Sequence, residues 1–98
     1  MDITITKNEK ELTVAVAGRL DTLTSPELEA QLKKNLGDNE KLIFDFKDLK
    51  FISSAGLRVL LTSMQAMDGK GEMVLRNVSR SVMDIFEVTG FAEDLVFE

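Results

Sequence analysis

Apolar and polar positions alternate along the first part of the chain. Ile3 and Ile5 are interleaved with Thr4 and Thr6, and Leu12, Val14 and Val16 with Thr13, Ala15 and Ala17. A period of two puts one set of side chains on a buried face and predicts two strands. Asn8-Glu9-Lys10 reads as the turn between them, and Gly18 closes the hairpin. The period then lengthens. Leu28, Leu32 and Leu36 recur one helical turn apart, with Thr24 or Ser25 as cap, Pro26 in the first turn, Glu27 placed for a capping box and Gly37 as the stop. Lys41 to Phe46, KLIFDF, is nearly continuous in apolar residues and predicts a central strand covered on at least one face.

From Ser54 onward Leu57, Leu60, Leu61, Met64 and Met67 recur at helical spacing, and the helix they predict ends near Asp68 to Gly71. Glu72 to Arg76 predicts a short strand. SRSVMDIFEVTG predicts a third helix, capped by Ser79 or Ser81 and stopped by Gly90, and Leu95-Val96-Phe97 a last strand. The order β-β-α-β-α-β-α-β implies an α/β fold in which right-handed crossovers build a mainly parallel or mixed sheet with helices packed on it.

Composition narrows the function more than the fold. The chain has 98 residues, the length of one domain spanning 1–98, and its 44% hydrophobic content suffices for a core without staples. It contains no cysteine and no histidine. Disulfides and thiolate metal sites are thereby excluded, and the usual general base and commonest metal ligand are missing. A nucleophilic serine would have to rely on a lysine; Lys50 is the nearest, and no GxSxG elbow surrounds it. Neither phosphate-binding glycine motif occurs, and Gly69-Lys70-Gly71 follows a helix rather than opening one. Asp45 and Asp48 read as loop or capping residues rather than metal ligands. The expectation is a protein that is not an enzyme and carries no cofactor.

Seventeen acidic and twelve basic residues give a net charge of −5 and are interspersed, which speaks against nucleic-acid binding. The amino-terminal stretch has no apolar signal region and no apolar run is long enough to span a bilayer, so no membrane insertion and a cytoplasmic location are expected.

What remains is FISSAGLRVLLTSMQAM, Phe51 to Met67, where two adjacent serines stand at the start of a helix. They can cap it, attack a substrate or be modified. Attack fails for want of a base. A cap alone leaves unexplained the small pair Ala55-Gly56, which brings the backbone into the open or into close contact at a cost in helix propensity of about 1 kcal/mol for the glycine. A phosphate at the first residue of a helix meets free amides and the positive dipole end, and Arg58, one turn beyond Ser54, is placed to screen it.

DLKFISSAGLRVLL resembles the signature of STAS domains, specifically the small bacterial anti-sigma factor antagonists. The resemblance extends to GRLDTLTSPELE, Gly18 to Glu29, and to NVSRSVMDIFEVTGF, Asn77 to Phe91, in the family's order. It implies a STAS fold and a switch. The unphosphorylated antagonist binds an anti-sigma factor serine kinase and frees the sigma factor; phosphorylation of the motif serine blocks that binding, and a PP2C-type phosphatase restores it. Alignment on Gly56-Leu57 puts the phosphoacceptor at Ser54. Ser53 stands where many members have Asp and is the alternative acceptor, and Ala55 stands where a second Ser or Thr is common. Many members also continue into another helix beyond the last strand.

The partner-binding face so implied comprises Asp21, Thr22, Ser53, Ser54, Ala55, Gly56 and Arg58. The Gly18 to Ser25 loop joins it if the second and third strands are neighbours. Two other readings stand beside this one: a STAS docking subunit of a transport or signalling assembly that is never phosphorylated, and a small-ligand-binding STAS module.

Overall fold

The computed structural model describes residues 1–98. Five strands form one mixed sheet: β1 (Asp2–Asn8), β2 (Glu11–Leu20), β3 (Lys41–Asp45), β4 (Leu49–Ile52) and β5 (Glu72–Arg76). The helices are α1 (Ser25–Asn35), α2 (Ser54–Met67) and α3 (Arg80–Thr89), followed by a single 3-10 turn at Phe91–Glu93. β1 runs antiparallel to β2, while β3 and β4 both run parallel to β2 and β5 runs parallel to β3.

The two-residue period of β2 is realised as expected: Leu12, Val14 and Val16 are buried, and Thr13, Ala15 and Ala17 are only half-buried. The strand does not close at Gly18, however. It passes through an irregularity at Gly18/Arg19 and continues to Leu20. Gly18 adopts φ 93°, a left-handed value that suits glycine, and its amide donates to the Asp48 carbonyl at 3.0 Å. This extension lets one long strand serve two partners. Glu11 to Ala15 pair with β3, and Gly18 to Leu20 pair with β4.

β4 was absent from the expected order. Its pattern, LKFI, is too short to show a period, and it lies only three residues after β3. At the other end, the strand expected at Leu95 to Phe97 shrinks to one parallel bridge between Leu75 and Phe97. The Leu75 amide donates to the Val96 carbonyl and the Glu98 amide to the Leu75 carbonyl. Glu98 then receives Arg76 and Lys41, the latter at 3.1 Å, which ties the end of the chain across β5 and β3.

One continuous core joins alternate residues of the sheet, among them Leu12, Val14, Phe44 and Leu75, to Leu28 and Leu32 of α1, Leu57 and Leu60 of α2 and Val82 and Phe86 of α3. All three helices therefore cover the same face. The helical stripes are those the spacing predicts, with one exception: Leu61 turns outward and is 41% exposed, while Val59 takes the buried position.

Candidate functional site

The parallel pairing of Leu20 with Ile52 sets the end of β2 beside the end of β4. Each strand then leads directly into a loop and a helix, so the amino-terminal ends of α1 and α2 lie side by side. The Ser53 amide donates to the Leu20 carbonyl at 2.9 Å and locks the two exits together. The second and third expected strands are neighbours, Leu12 to Ala15 lying against Leu42 to Asp45. The pairing at the start of α2 itself is made by β4, the strand the sequence pattern left out.

Neither serine caps α2 with its side chain. Ser53 occupies the N-cap position with extended backbone, φ −97° and ψ 179°, but its hydroxyl makes no capping bond. Its Oγ is buried without a hydrogen-bond partner. Ser54 is the first helical residue and is exposed. Without a side-chain cap, the amides of Ser54, Ala55 and Gly56 have no intrahelical acceptor. The turn is held from below instead. A Cβ on Gly56 would lie 2.7 Å from Ile52 Cγ1, 2.8 Å from Leu20 Cγ and 3.0 Å from the Leu20 carbonyl oxygen. The glycine thus lets the helix sit directly on the strand ends. It is buried and positions the face rather than forming part of its outer surface.

The capping box expected at α1 is also replaced. Thr24 is the N-cap but makes no side-chain capping bond; its Oγ1 accepts from the Asp21 amide at 2.8 Å and lies 2.8 Å from the Arg19 carbonyl. Asp21 organises the loop. Its Oδ1 accepts from the Leu23 amide at 3.1 Å and the Thr24 amide at 3.2 Å, and its carbonyl accepts from the Ser25 amide at 2.8 Å. Partial burial pushes the Asp21 carboxyl up, but bonds from the Thr24 amide and hydroxyl and the Leu23 amide, with Arg19 alongside, outweigh it and hold the group below its ordinary value. Arg19 is 3.7 Å from Asp21 and stacks over the Phe51 ring at 4.3 Å, bridging the two strand ends.

Thr22, Ala55 and Arg58 meet across a cleft of 180 Å³ that also includes Ser25 and Pro26. The residues expected to act together are therefore adjacent, with two differences in role: Gly56 lies beneath the surface and Ser53 turns its hydroxyl inward. Sequence reasoning passed over Leu23. It is 89% exposed at the tip of the Asp21 loop. An apolar residue between two threonines in a polar turn was the available signal.

The STAS domain family profile matches residues 2–98, the length of this sheet and its helices. The chain belongs to the STAS domain family. BtrV of Bordetella bronchiseptica is 34% identical over 93 residues, covering 93% of this chain and 80% of its own. The anti-sigma-B factor antagonist of Bacillus subtilis is 24% identical over 94 residues, covering 95% of this chain and 86% of its own. Among solved structures, an anti-sigma factor antagonist from Mycobacterium paratuberculosis superposes with a TM-score of 0.88 at 18% identity, covering 98% of this chain and 83% of that one, which shows the shared fold. This STAS domain stands with the anti-sigma factor antagonists, regulators that work by binding rather than by catalysis. No helix in it is long and apolar enough to cross a membrane.

Proposed function

We propose that this STAS domain is a cytoplasmic anti-sigma factor antagonist controlled by phosphorylation at Ser54. Its unphosphorylated form binds a cognate anti-sigma serine kinase through Asp21, Thr22, Ser54, Ala55 and Arg58, which releases the sigma factor. Phosphate on Ser54 breaks that contact, and a PP2C-type phosphatase resets the switch.

One observation supports this reading above the others. Of the two serines, Ser54 is exposed on the first turn of α2, whereas the Ser53 hydroxyl is buried. A kinase active site reaches the first without disturbing the fold and reaches the second only by opening it. The free amides at the helix start accommodate a phosphate, and its charge of about −1.5 to −2 falls on an exposed surface one helical turn from Arg58. The core is untouched, so the modification changes recognition and leaves stability alone.

Ser54→Asp tests the proposal. Its affinity for the kinase is expected to fall at least about tenfold, the equivalent of about 1.4 kcal/mol, with the thermal midpoint unchanged. Ser54→Ala should bind like the unmodified protein and accept no phosphate from the kinase. Full affinity in the aspartate variant would overturn the switch.

A further inference from the structure

Between α1 and α2 a groove runs from the paired helix starts toward their far ends. Its lower part has a volume of 270 Å³ and is lined by Leu32, Leu36, Val59 and Ala66, with Lys33 and Lys70 at its margins. Its upper part is the 180 Å³ cleft at Thr22, Ser25 and Arg58. Glu29 and Val59 line both, so the two adjoin. Together they fall within the ~300–1,000 Å³ usual for small-molecule sites.

The two ends differ in chemistry. In the lower part the Ser63 hydroxyl donates to the Val59 carbonyl at 2.8 Å, the Thr62 hydroxyl to the Arg58 carbonyl at 3.0 Å, and Glu29 is paired with Lys33 at 3.3 Å. Apart from the Lys70 ammonium at the far margin, what is left to a ligand there is apolar. In the upper part Ser25 is only 4% exposed and its Oγ has no hydrogen-bond partner. A buried hydroxyl left unpaired costs free energy that a ligand acceptor would recover. It stands in a wall formed by Pro26 at the start of α1 and by Ala55 and Arg58 at the start of α2. The start of α2 brings the unsatisfied amides of Ser54, Ala55 and Gly56 and its positive end to this place, whereas at α1 the Ser25 and Glu27 amides are already taken by the Asp21 and Thr24 carbonyls. The Arg58 guanidinium and the start of α2 favour a negative group, the Glu29 carboxylate of the same cleft is paired with Lys33 at 3.3 Å, and the Ser25 hydroxyl is a donor without an acceptor.

We propose that this groove binds an anionic amphiphile: a medium-length acyl chain lying over Leu32, Leu36, Val59 and Ala66, with its acidic head at Ser25 and Arg58. The span of α1 from Ser25 to Leu36, about 16 Å at 1.5 Å per residue, suits such a chain in extended form. The site stands on its own residues. Its consequence rests on the function proposed above: Ala55 and Arg58 also belong to the partner face, so a filled groove lowers affinity for the kinase.

Binding is read on the isolated protein, with no kinase present, so that failure of the site and failure of the switch are separate results. Decanoate, kept below its micelle-forming concentration, is titrated into the isotopically labelled chain and followed by amide shifts. Saturable shifts are expected at Ser25, Leu32, Val59, Ala55 and Ala66. 1-Decanol should bind at least about tenfold more weakly, and acetate should show no saturation. Ala66→Phe, which fills the groove from an exposed position, should abolish decanoate shifts while leaving kinase binding intact, and Ser25→Ala should weaken decanoate about threefold to tenfold. Equal binding of decanol and decanoate, or shifts that survive Ala66→Phe, would overturn the proposal, as would the absence of saturable shifts with decanoate.

Discussion

Two helices of this domain begin in the same way on paper and in opposite ways in space. Both α2 and α3 follow a parallel strand, and both are led by serines. At α3 the Ser79 hydroxyl accepts from the Val82 amide at 3.3 Å, and the helix closes at Gly90 in the left-handed conformation with φ 84°. At α2 the residue in the equivalent place, Ser53, makes no cap and hides its hydroxyl, while Ser54 is left in solvent. The third helical residue is Val82 in one helix, a core side chain, and Gly56 in the other, where even a methyl group finds no room. The first start is built for stability. The second gives up its cap and draws α2 down onto Leu20 and Ile52, which keeps its amides and Ser54 available at a fixed position beside the Asp21 loop.

That contrast breaks most sharply at Gly56. Gly56→Ala should destabilise the domain by about 1–3 kcal/mol through overpacking against Leu20 and Ile52, even though alanine favours a helix by about 1 kcal/mol elsewhere. Denaturant unfolding with an unchanged slope would measure it; a neutral or stabilising result would mean that the strand ends yield and the glycine has another purpose.

The serines separate next. Ser79→Ala should cost about 1 kcal/mol, as the loss of a working cap does. Ser53→Ala removes a buried hydroxyl that has no partner and should be neutral or slightly stabilising, within about 0.5 kcal/mol. Equal losses at the two positions would show that Ser53 caps in solution after all.

The smallest effect concerns acid. The Asp21 carboxyl lies below its ordinary value of 3.8, so its folded form is depressed relative to the unfolded chain. Its contribution is complete above that ordinary value and is lost as pH falls through the lower, folded one. The amide shifts of Leu23 and Thr24 should therefore stay constant between neutrality and mild acid and move only below about pH 3.8. Asp21→Asn should remove that late movement and leave the α3 start unaffected. Glu98, held down by Arg76 and then Lys41, titrates with the same sign at the far edge of the sheet, where the shifts of Phe97 and Glu98 report it independently.

Much of the site was legible from residue order. A serine on the first turn of a helix, followed by small residues and an arginine one turn later, needs only helical geometry to place Ser54, Ala55 and Arg58 on one surface. The signature around them was equally local. Asp21 and Thr22 were not, because their distance from Ser54 depends on which strands are neighbours. That answer came from β4, whose four residues carry no readable period, and from the bulge at Gly18, which let β2 reach far enough to pair with it.

The sequence by itself determined the α/β character, the boundaries of the three helices to within a residue or two, the core stripes Leu28-Leu32 and Leu57-Leu60, and the absence of histidine and cysteine chemistry. These depend on periodicity and composition, which are properties of neighbours in the chain. Only the tertiary structure decided that Ser53 turns inward, that Asp21 rather than Thr24 or Glu27 organises the start of α1, that Gly56 is a packing necessity, and that Ser25 stands unpaired in a groove between two helices. Each of those depends on what a side chain meets across space. A short polar side chain has several hydrogen-bond choices of nearly equal energy, and contacts between segments remote in sequence choose among them.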